Sequence, residues 1–221
     1  GLTKPFTFNM QQIIKIAIAD DEVLIRQGII NILCQEENIE LVFEAANGNE
    51  LIAKLNTCLQ VPDIILMDIN MPDLNGIDTT TILSKQYPEI KIIALSSYNS
   101  LSFIKKMLSV GVVCYIPKSF SPTDLIFRVK EVNERGFYYE KNILDNFDSF
   151  GLNTIEISER EKEVLQLICQ QKSASEIAEL LSISSRTVDN HRNSLLQKTN
   201  SKNVIGLVVF AIQNHLFLTE K

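Results

Sequence analysis

Acidic, hydroxyl and lysine side chains stand at the ends of four apolar stretches of this sequence. Asp20 and Asp21 follow the first stretch, and Asp68 follows another. Two later stretches end at Ser96 and near Lys118. Grouped carboxylates without histidine favour Mg²⁺ over zinc, and a carboxylate nucleophile in phosphoryl transfer needs such a cation and an ammonium to neutralise the developing charge. These residue types therefore suit phosphoryl transfer to an aspartate.

Asp68 taken alone has a second interpretation, because an aspartate after an apolar strand can cap the following helix without doing chemistry. The acids upstream argue for the chemical interpretation. Asp20 and Asp21 repel each other, and a third carboxylate close to them is best explained by a bound divalent cation that offsets their charge. If Asp68 is a cap, its side chain bonds the start of the following helix. If it does chemistry, its side chain lies close to Asp20 and Asp21.

Strand and helix patterns alternate over the first part of the chain. The run Ile64–Met67 does not alternate between apolar and polar residues, which is typical of a strand buried on both faces of a parallel sheet. Five such repeats predict an α/β doubly wound, five-stranded parallel sheet of the flavodoxin-like kind, in which the strand ends form a crevice. The strands are predicted near 13–19, 39–45, 63–68, 90–95 and 112–116, and the helices near 22–36, 48–59, 76–86, 99–110 and 121–135.

Only helical patterns follow from about residue 155. Ser158–Glu161 and Ser173–Glu176 have the capping-box pattern that opens a helix. A three-residue turn, 182–184, separates the second helix from a third that is predicted from Ser185 to about Thr199, and a fourth covers 202–216. Two short helices joined by such a turn predict a helix-turn-helix, whose second helix enters a major groove of DNA. The second part of the chain is therefore predicted to be a small all-α four-helix domain.

Composition and charge narrow the class of protein. A length of 221 residues with 45% hydrophobic residues suits two domains with packed cores. The net charge of −6 argues against a nucleic-acid protein, but residues 184–203 hold four basic side chains and only Asp189 as an acid, which gives a local positive field. Four scattered cysteines without a CxxC pair indicate thiols in a reducing cytosol, and no stretch approaches the roughly 18 to 20 apolar residues of a membrane span. We expect a cytoplasmic protein that does not contact a membrane.

One face of the third helix in this domain is predicted to contact DNA. Val188, His191 and Leu195 follow at i, i+3 and i+7 and should pack inward, which leaves arginine and asparagine side chains on the opposite face. Those two side chains pair bidentately with guanine and adenine. His191 is interpreted as a packed or phosphate-contacting residue rather than a metal ligand, because no cysteine or acid recurs at ligand spacing. The predicted DNA-binding residues are Arg186, Thr187, Asn190, Arg192, Asn193, Lys198 and Lys202.

Residues 12 to about 136 resemble the receiver domain of two-component response regulators. The resemblance rests on the Asp20-Asp21 pair, the run Met-Asp-Ile-Asn-Met-Pro-Asp-Leu-Asn-Gly that contains Asp68, Ser96 after Ile-Ile-Ala-Leu, and Tyr115 three residues before Lys118. It implies that Asp68 accepts a phosphoryl group from a histidine kinase. It also implies a magnesium site formed by Asp21, Asp68 and the carbonyl of Asn70, with Asp20 acting mainly through water.

The same resemblance implies roles for four further residues. Lys118 would pair with the phosphoryl oxygens, and Ser96 would move to bond one of them. Tyr115 is either a strand aromatic packed against a helix or a switch that moves with Ser96; the resemblance favours the switch. Asn70 and Tyr98, two positions beyond the phosphoacceptor and the hydroxyl, would tune dephosphorylation. The sequence departs from many receivers at Ser119, where a proline is usual.

Residues 155 to about 218 are similar to the LuxR-type helix-turn-helix domain of the NarL/FixJ class of response regulators. The matching residues are Ile-Ser-Glu-Arg-Glu-Lys-Glu-Val-Leu at 157–165, Glu176-Ile177-Ala178, Ile183-Ser184, Thr187-Val188, His191 and Lys198. The sequence departs at Asp189 and Thr199, where the family usually has lysine and leucine, so its DNA contacts are not copied from the family. The predicted organisation is an N-terminal extension at 1–11, interpreted as an expression remnant, a receiver at 12–136, a linker at 137–154 and the output domain at 155–221.

The sequence thus predicts a response regulator that controls transcription and is not an enzyme. Its expected partners are a histidine kinase, double-stranded DNA and a second copy of itself when phosphorylated or bound to DNA. The last helix has an apolar stripe in which Val204, Val208 and Ile212 either form a dimer contact or face their own domain. Two rival functions are an aspartyl-phosphate phosphohydrolase built on the same sheet and a DNA-binding protein with a degenerate receiver.

Overall fold

The first part of the chain folds into a sheet flanked by helices. A computed structural model of the protein describes residues 12–98, 100–140, 155–214 and 216–217, so the predicted extension at 1–11 and most of the predicted linker, 141–154, lie outside the described residues. The strands are β1 (Ile14–Ala19), β2 (Ile39–Ala45), β3 (Ile64–Asp68), β4 (Lys91–Ser96) and β5 (Cys114–Pro117). The helices are α1 (Val23–Leu33), α2 (Gly48–Thr57), α3 (Gly76–Gln86), α4 (Leu101–Val110) and α5 (Pro122–Arg135).

All five strands are parallel and lie in the order β2-β1-β3-β4-β5. Every residue of β3 is buried, as its unbroken apolar run predicts. The order of the strands reverses between β1 and β3, and open α/β sheets form a crevice at the carboxyl ends of the strands on either side of such a reversal. The predicted doubly wound sheet is confirmed, and its crevice lies between the strands that end in Asp20 and Asp68.

The start of α3 decides between the two interpretations of Asp68. The N-cap of α3 is Asn75, whose side chain accepts a hydrogen bond from the backbone of Asp78 at 2.9 Å. The side chain of Asp68 instead accepts from the backbone of Asn70 within the loop, at 3.1 Å. The capping interpretation of Asp68 is therefore wrong. Gly76 brings the loop back against the strand end, where an added Cβ would lie 2.3 Å from the carbonyl oxygen of Asp68.

The chain stays packed on the sheet after α5 ends. Gly136 takes a left-handed conformation with φ of 90°, and Phe137 and Tyr139 are then buried. Tyr138 forms a parallel bridge to Cys114, and its backbone N–H donates to Val113 at 3.0 Å. Packing on the sheet therefore continues to Tyr139, three residues past the boundary that the sequence predicts.

Four helices form the second domain: α6 (Glu159–Cys169), α7 (Ala174–Leu180), α8 (Ser185–Lys198) and α9 (Val204–Gln213). Both predicted capping boxes are present, at the starts of α6 and α7. Val188 and Leu195 of α8 are buried in the core as predicted, whereas His191 is only half-buried. No helix in the described part of the chain has the length and apolar character that crossing a membrane requires.

Glu161 is a buried acid that joins α6 to α8. Its carboxylate accepts hydrogen bonds from Lys198 at 2.7 Å and Ser194 at 2.6 Å, besides its bond to the backbone of Ser158 in the capping box. Burial by itself would raise the pKa of Glu161, but these donors outweigh it and lower the pKa to about 2. Glu161 is therefore ionised in the folded second domain at neutral pH.

Replacing Glu161 with glutamine should remove a pH-dependent part of the stability of the second domain. Because its pKa in the folded protein lies below the ordinary 4.5, the ionised carboxylate adds free energy of unfolding above pH 4.5 and loses that contribution as the pH falls toward 2. At pH 7 the loss should be on the order of 2 to 3 kcal/mol. Urea unfolding of the second domain between pH 7 and 3 measures it, with exposed Glu159→Gln as the control. Parallel pH curves for the Glu161 variant and the wild type would contradict the assignment.

Candidate functional site

Three carboxylates converge in the crevice between β1 and β3. Asp20 and Asp68 are 0% and 1% exposed, whereas Asp21 is exposed at the rim. Each of the three offers a carboxylate oxygen within 4.8 Å of the others. Asp20 closes β1 and Asp68 closes β3, so adjacent parallel strands bring together acids that are 48 positions apart in the sequence. This is the convergence that the sequence predicts.

Lys118 supplies the positive charge of the site. Its ammonium lies 3.0 Å from Asp68, 3.2 Å from Asp20 and 2.6 Å from Glu22. The backbone N–H of Lys118 donates to the carbonyl of Ser96 at 3.0 Å, which holds the lysine beside the end of β4. Burial would lower the pKa of Lys118, but the three carboxylates raise it, so the ammonium is charged throughout the physiological range.

Glu22 is a partner of Lys118 that sequence reasoning did not assign. Its side chain is exposed, and its carboxylate makes the shortest of the three ion pairs of Lys118. The only signal in the sequence is that Glu22 extends the acid pair to three adjacent acids, and this does not show which of them reaches the lysine. A contact across 96 positions of sequence depends on the fold.

The electrostatics of the buried acids fit a cation. Burial raises the pKa of Asp68 and of Asp20 above their ordinary values, in spite of hydrogen bonds to the backbone of Asn70 and Glu22. One carboxylate oxygen of Asp20, Oδ2, is fully buried without a hydrogen bond within the described structure, although Lys118 lies 3.2 Å away. A buried oxygen without a donor costs free energy that a bound cation would offset. The all-oxygen donors of this cluster suit a hard divalent ion.

Arg26 also positions the acids and was not predicted from the sequence. Its guanidinium donates to the carbonyl oxygen of Asp20 at 2.6 Å and pairs with Glu44 of β2 at 2.6 Å. This ties α1 to the ends of two strands and fixes the turn that carries the acid pair. No spacing rule in the sequence links residue 26 with residue 44.

The hydroxyl and the aromatic residue predicted to switch are connected through Tyr98. Ser96 is buried, and its Oγ accepts from the backbone N–H of Tyr98 at 3.0 Å. The phenol of Tyr115, also buried, donates to the carbonyl of Tyr98 at 2.7 Å. The ring of Tyr98 is 58% exposed and packs against Phe103, with centroids 5.6 Å apart. Ser96 and Tyr115 therefore both hold the backbone of one exposed residue.

The predicted DNA-binding residues divide into two groups. Arg186, Asn190 and Asn193 are exposed on α8, as is Lys202 after it. The other three already have partners within the domain. Arg192 pairs with Asp189 at 2.9 Å, Lys198 pairs with Glu161, and Thr187 shares a hydrogen bond with Ser184 at 2.8 Å.

The two domains contact each other around a cavity of about 540 Å³. Its walls include Arg192, Asn193 and Lys202 of the second domain and Lys91 of the first. Burial lowers the pKa of Lys91; the charge of Asp63 opposes this effect, and the charge of Arg192 adds to it. Three residues that the sequence assigns to DNA thus face the first domain in this structure.

Two hydrogen-bonded contacts close this arrangement. Arg135 of α5 donates to the carbonyl of Gln171 and pairs with Glu176 at 3.2 Å. The side chain of Asn203, which caps α9, donates to the carbonyl of Gly111 at the end of α4, at 2.8 Å. The contact between domains therefore involves the C-terminal ends of α4 and α5.

The apolar stripe of α9 is largely covered in this structure. Val208 is 1% exposed, while Val204 and Ile212 are half-buried. Val204 lies beside Gly136, where an added Cβ would be 3.4 Å from it. In this structure part of the stripe therefore packs within its own domain and against the first domain. Its contact with a second copy remains a prediction.

Two family models match the chain. Residues 16–130 match the model described as the response regulator receiver domain. Residues 156–211 match the model described as bacterial regulatory proteins of the luxR family. The first match covers the parallel sheet and its helices, and the second covers the helical domain.

Relatives match over nearly the full length. The transcriptional regulatory protein DegU of Brevibacillus brevis is 34% identical over 226 residues, which cover 91% of this chain and 94% of DegU. The response regulator protein VraR of Staphylococcus aureus strain COL is 33% identical over 207 residues, which cover 92% of this chain and 98% of VraR.

Solved structures share the fold. The RcsB response regulator of Salmonella typhimurium has a TM-score of 0.55 and 24% identity, and covers 91% of this chain and 98% of that one. A structure of RcsB with DNA has a TM-score of 0.55 and 23% identity, over 93% of this chain and 98% of that one. A third structure, with a TM-score of 0.55 and 24% identity over 89% and 96% of the two chains, contains two RcsB dimers bound to two parallel DNAs.

Replacing Asp68 with asparagine should stabilise the first domain when no divalent cation is present. Because burial raises the pKa of Asp68, its ionised form costs folding free energy, and this cost appears as the pH rises above the ordinary value of 3.8. Asparagine has the same shape without the charge, so the free energy of unfolding at pH 7 should rise. Urea unfolding in EDTA measures it, with exposed Glu37→Gln as the control. A destabilised amide variant would show that the ionised carboxylate is favourable where it lies.

Proposed function

Because the chain belongs to the NarL/FixJ class of two-component response regulators, with a receiver domain and a LuxR-type DNA-binding domain, we propose that Asp68 is its phosphoacceptor. The observation that carries this proposal is the position of the Asp68 carboxylate, 3.0 Å from the ammonium of Lys118 and within 4.8 Å of the carboxylates of Asp20 and Asp21. A buried nucleophile with a fixed cation and two further acids has the groups that phosphoryl transfer needs.

In the proposed reaction an oxygen of Asp68 forms a bond to phosphorus while the bond from phosphorus to the phosphohistidine nitrogen of the kinase breaks. The departing nitrogen keeps the electron pair of that bond. Mg²⁺, which the oxygen-only cluster fits, would neutralise phosphoryl charge when bound. We assign its ligands to Asp21, Asp68 and the carbonyl of Asn70, with Asp20 acting through water. Lys118 then turns from the carboxylate of Asp68 to the new phosphoryl oxygens, to which it offers a fixed positive charge.

We further propose that Ser96 and Tyr115 move when Asp68 is phosphorylated and so change the conformation of the rest of the domain. The hydroxyl of Ser96 now accepts from the backbone of Tyr98. If it turns to donate to a phosphoryl oxygen, Tyr98 loses that bond, and the carbonyl of Tyr98 that holds the phenol of Tyr115 shifts with it. We assign control of dephosphorylation to the side chains of Asn70 and Tyr98, which stand at the mouth of the site.

The proposed output is regulation of transcription by DNA binding through α8. In the described arrangement Arg192, Asn193 and Lys202 line the cavity between the domains, so full contact of α8 with a duplex requires the receiver to move away. Binding by two copies would double the small surface that one helix-turn-helix buries, and RcsB is seen on DNA as dimers. We assign the contact between copies to Val204, Val208 and Ile212, of which Val204 lies against Gly136 of the first domain and would be uncovered by the same movement.

The phosphoryl chemistry of this receiver would serve regulation rather than turnover of an external substrate, so we do not class the protein as an enzyme. Its partners would be a histidine kinase and double-stranded DNA. Because the proposed target is chromosomal DNA, we place its action in the cytoplasm, away from the membrane.

Asp68→Asn should abolish phosphorylation by acetyl phosphate and Mg²⁺, because an amide is not a usable nucleophile for this transfer. Intact-mass measurement with peptide mapping should find one hydroxylamine-sensitive phosphoryl group on the wild type and none on the variant. Asp73→Asn, which makes the same chemical change at an exposed acid on the same loop, is the matched control and should be labelled normally. Undiminished labelling of Asp68→Asn at another residue would refute the assignment.

Arg186→Ala and Lys202→Ala should affect DNA binding in different ways. If Arg186 reads a base, its loss should cost roughly 1 to 3 kcal/mol on a duplex selected by the wild-type protein and much less on a scrambled duplex. If Lys202 meets phosphate, its loss should weaken both duplexes alike and flatten the salt dependence. Fluorescence anisotropy with phosphorylated protein across a salt series separates the two effects. Equal losses on both duplexes for Arg186→Ala would show that this residue does not read bases.

A further inference from the structure

Arg128 of α5 is a charged residue that is only 8% exposed. Its three guanidinium nitrogens each have a partner 3.0 Å away: Nη1 donates to the backbone carbonyl of Tyr115, Nε to Asp124 and Nη2 to Glu140. The guanidinium also lies over the ring of Tyr138, 5.2 Å from its centroid. A buried guanidinium is tolerated where its donors are satisfied in this way, so the position of Arg128 depends on all of these groups.

The partners of Arg128 belong to different parts of the chain. Tyr115 lies on β5 and is the proposed switch, and Asp124 lies one turn earlier on α5. Tyr138 and Glu140 belong to the segment after α5 that leads toward the DNA-binding domain. A planar guanidinium holds its donors in a fixed geometry, so Arg128 cannot follow a shift of one partner without changing its contact with another.

Hydrogen bonds also connect the other side of Tyr115 to the phosphorylation site. The phenol of Tyr115 holds the carbonyl of Tyr98, and the backbone N–H of Tyr98 donates to Ser96. An unbroken series of contacts therefore leads from Ser96 through Tyr98, Tyr115 and Arg128 to Glu140. Contiguity alone is not coupling, which requires an element with two arrangements. Ser96 is such an element, because its hydroxyl either accepts a hydrogen bond from the backbone of Tyr98 or donates one to a phosphoryl oxygen.

We propose that Arg128 transmits the state of the Asp68 site to Tyr138 and Glu140, which it holds on the receiver until Tyr115 moves. This inference rests on the proposed phosphorylation of Asp68 and concerns its regulatory consequence. Movement of Tyr115 displaces the carbonyl that Arg128 binds, and the guanidinium then loses its alignment with Glu140 and Tyr138. Tyr138 and Glu140 are loosened from the receiver as a result.

This role requires that one contact of Arg128 persists while others break, and its contacts differ in strength accordingly. Asp124 is a neighbour on the same helix, so its ion pair keeps Arg128 in place in both states. The carboxylate of Glu140 is 51% exposed, and such a pair is weak enough to be broken and re-formed. Phe137 and Tyr139 stay anchored by burial, and the phenol of Tyr139 donates to the carbonyl of Val112 at 3.2 Å. The releasable contacts are therefore those of Tyr138 and Glu140 with the guanidinium.

The test follows amide hydrogen exchange of the peptide 137–140 in the full-length protein, before and after treatment with acetyl phosphate and Mg²⁺. In the wild type we expect exchange at Tyr138, whose N–H donates to Val113, to rise at least about threefold on phosphorylation. Glu140→Gln removes the charge that Arg128 holds, so its exchange should already be fast without phosphorylation. Arg128→Lys keeps the charge but not the planar fork, and should lose the difference between the two states.

Lys130→Gln is the matched control, because it removes a charge from the exposed side of the same helix, where Lys130 pairs with Glu36 at 2.6 Å. It should keep the wild-type response. All variants should still be phosphorylated on Asp68, because none of the changed residues contacts the carboxylates or Lys118. Glu140→Gln alters an exposed side chain, so its result stands even if Arg128→Lys fails to fold.

The outcomes separate this inference from the proposed function. A wild-type protein that is not phosphorylated on Asp68 would refute the proposed function itself. Normal phosphorylation combined with a wild-type exchange response in both Arg128→Lys and Glu140→Gln would overturn the role of Arg128 alone. A response lost in those two variants and kept in Lys130→Gln would establish it.

Discussion

The structure depends on one electrostatic balance, between the buried carboxylates of Asp20 and Asp68 and the ammonium of Lys118. Burial raises the pKa of both acids, so keeping them ionised at this site lowers the free energy of unfolding. Lys118 offsets part of this cost through its ion pairs, and a divalent cation would offset more. The parallel sheet makes the arrangement possible, because its rigid strand ends hold charges that would otherwise move apart. Arg26 and the tight approach of Gly76 fix the two loops that carry the acids.

The same balance explains how a small chemical change at Asp68 could have a large effect. A phosphoryl group on Asp68 adds negative charge beside Lys118. Its charged oxygens accept a hydrogen bond from the hydroxyl of Ser96 more strongly than a neutral oxygen would. The hydrogen bonds of Ser96 and Tyr115 converge on the backbone of Tyr98, so either side chain can move that residue. Arg128 then provides a route out of the sheet that is separate from α4. Two routes lead from the site toward the second domain: the contact of Asn203 with Gly111 at the end of α4, and the segment after α5.

The second domain contains its own ion pair, between buried Glu161 and exposed Lys198. What the first domain changes is access to α8. Lys91 and Arg192 both line the cavity between the domains, each beside an acid of its own domain, Asp63 and Asp189. Arg135 and Asn203 join the domains by hydrogen bonds. A contact that depends on few hydrogen bonds is one that a modest free energy can open.

The sequence by itself determined the elements and the chemical character of the site. Apolar runs without alternation gave the parallel strands, capping boxes gave the starts of α6 and α7, and parallel strands bring Asp20, Asp68 and Lys118 to one edge because all strand ends of the same polarity meet there. The tertiary structure alone decided which side chains pair. Glu22 pairs with Lys118 across 96 positions, and Lys198, which is predicted to bind DNA, pairs with Glu161 across 37. It also decided that Phe137, Tyr139 and Val208 are buried. Periodicity reports which face of an element is apolar, but a side chain's partner depends on how distant elements pack, and no local pattern contains that information.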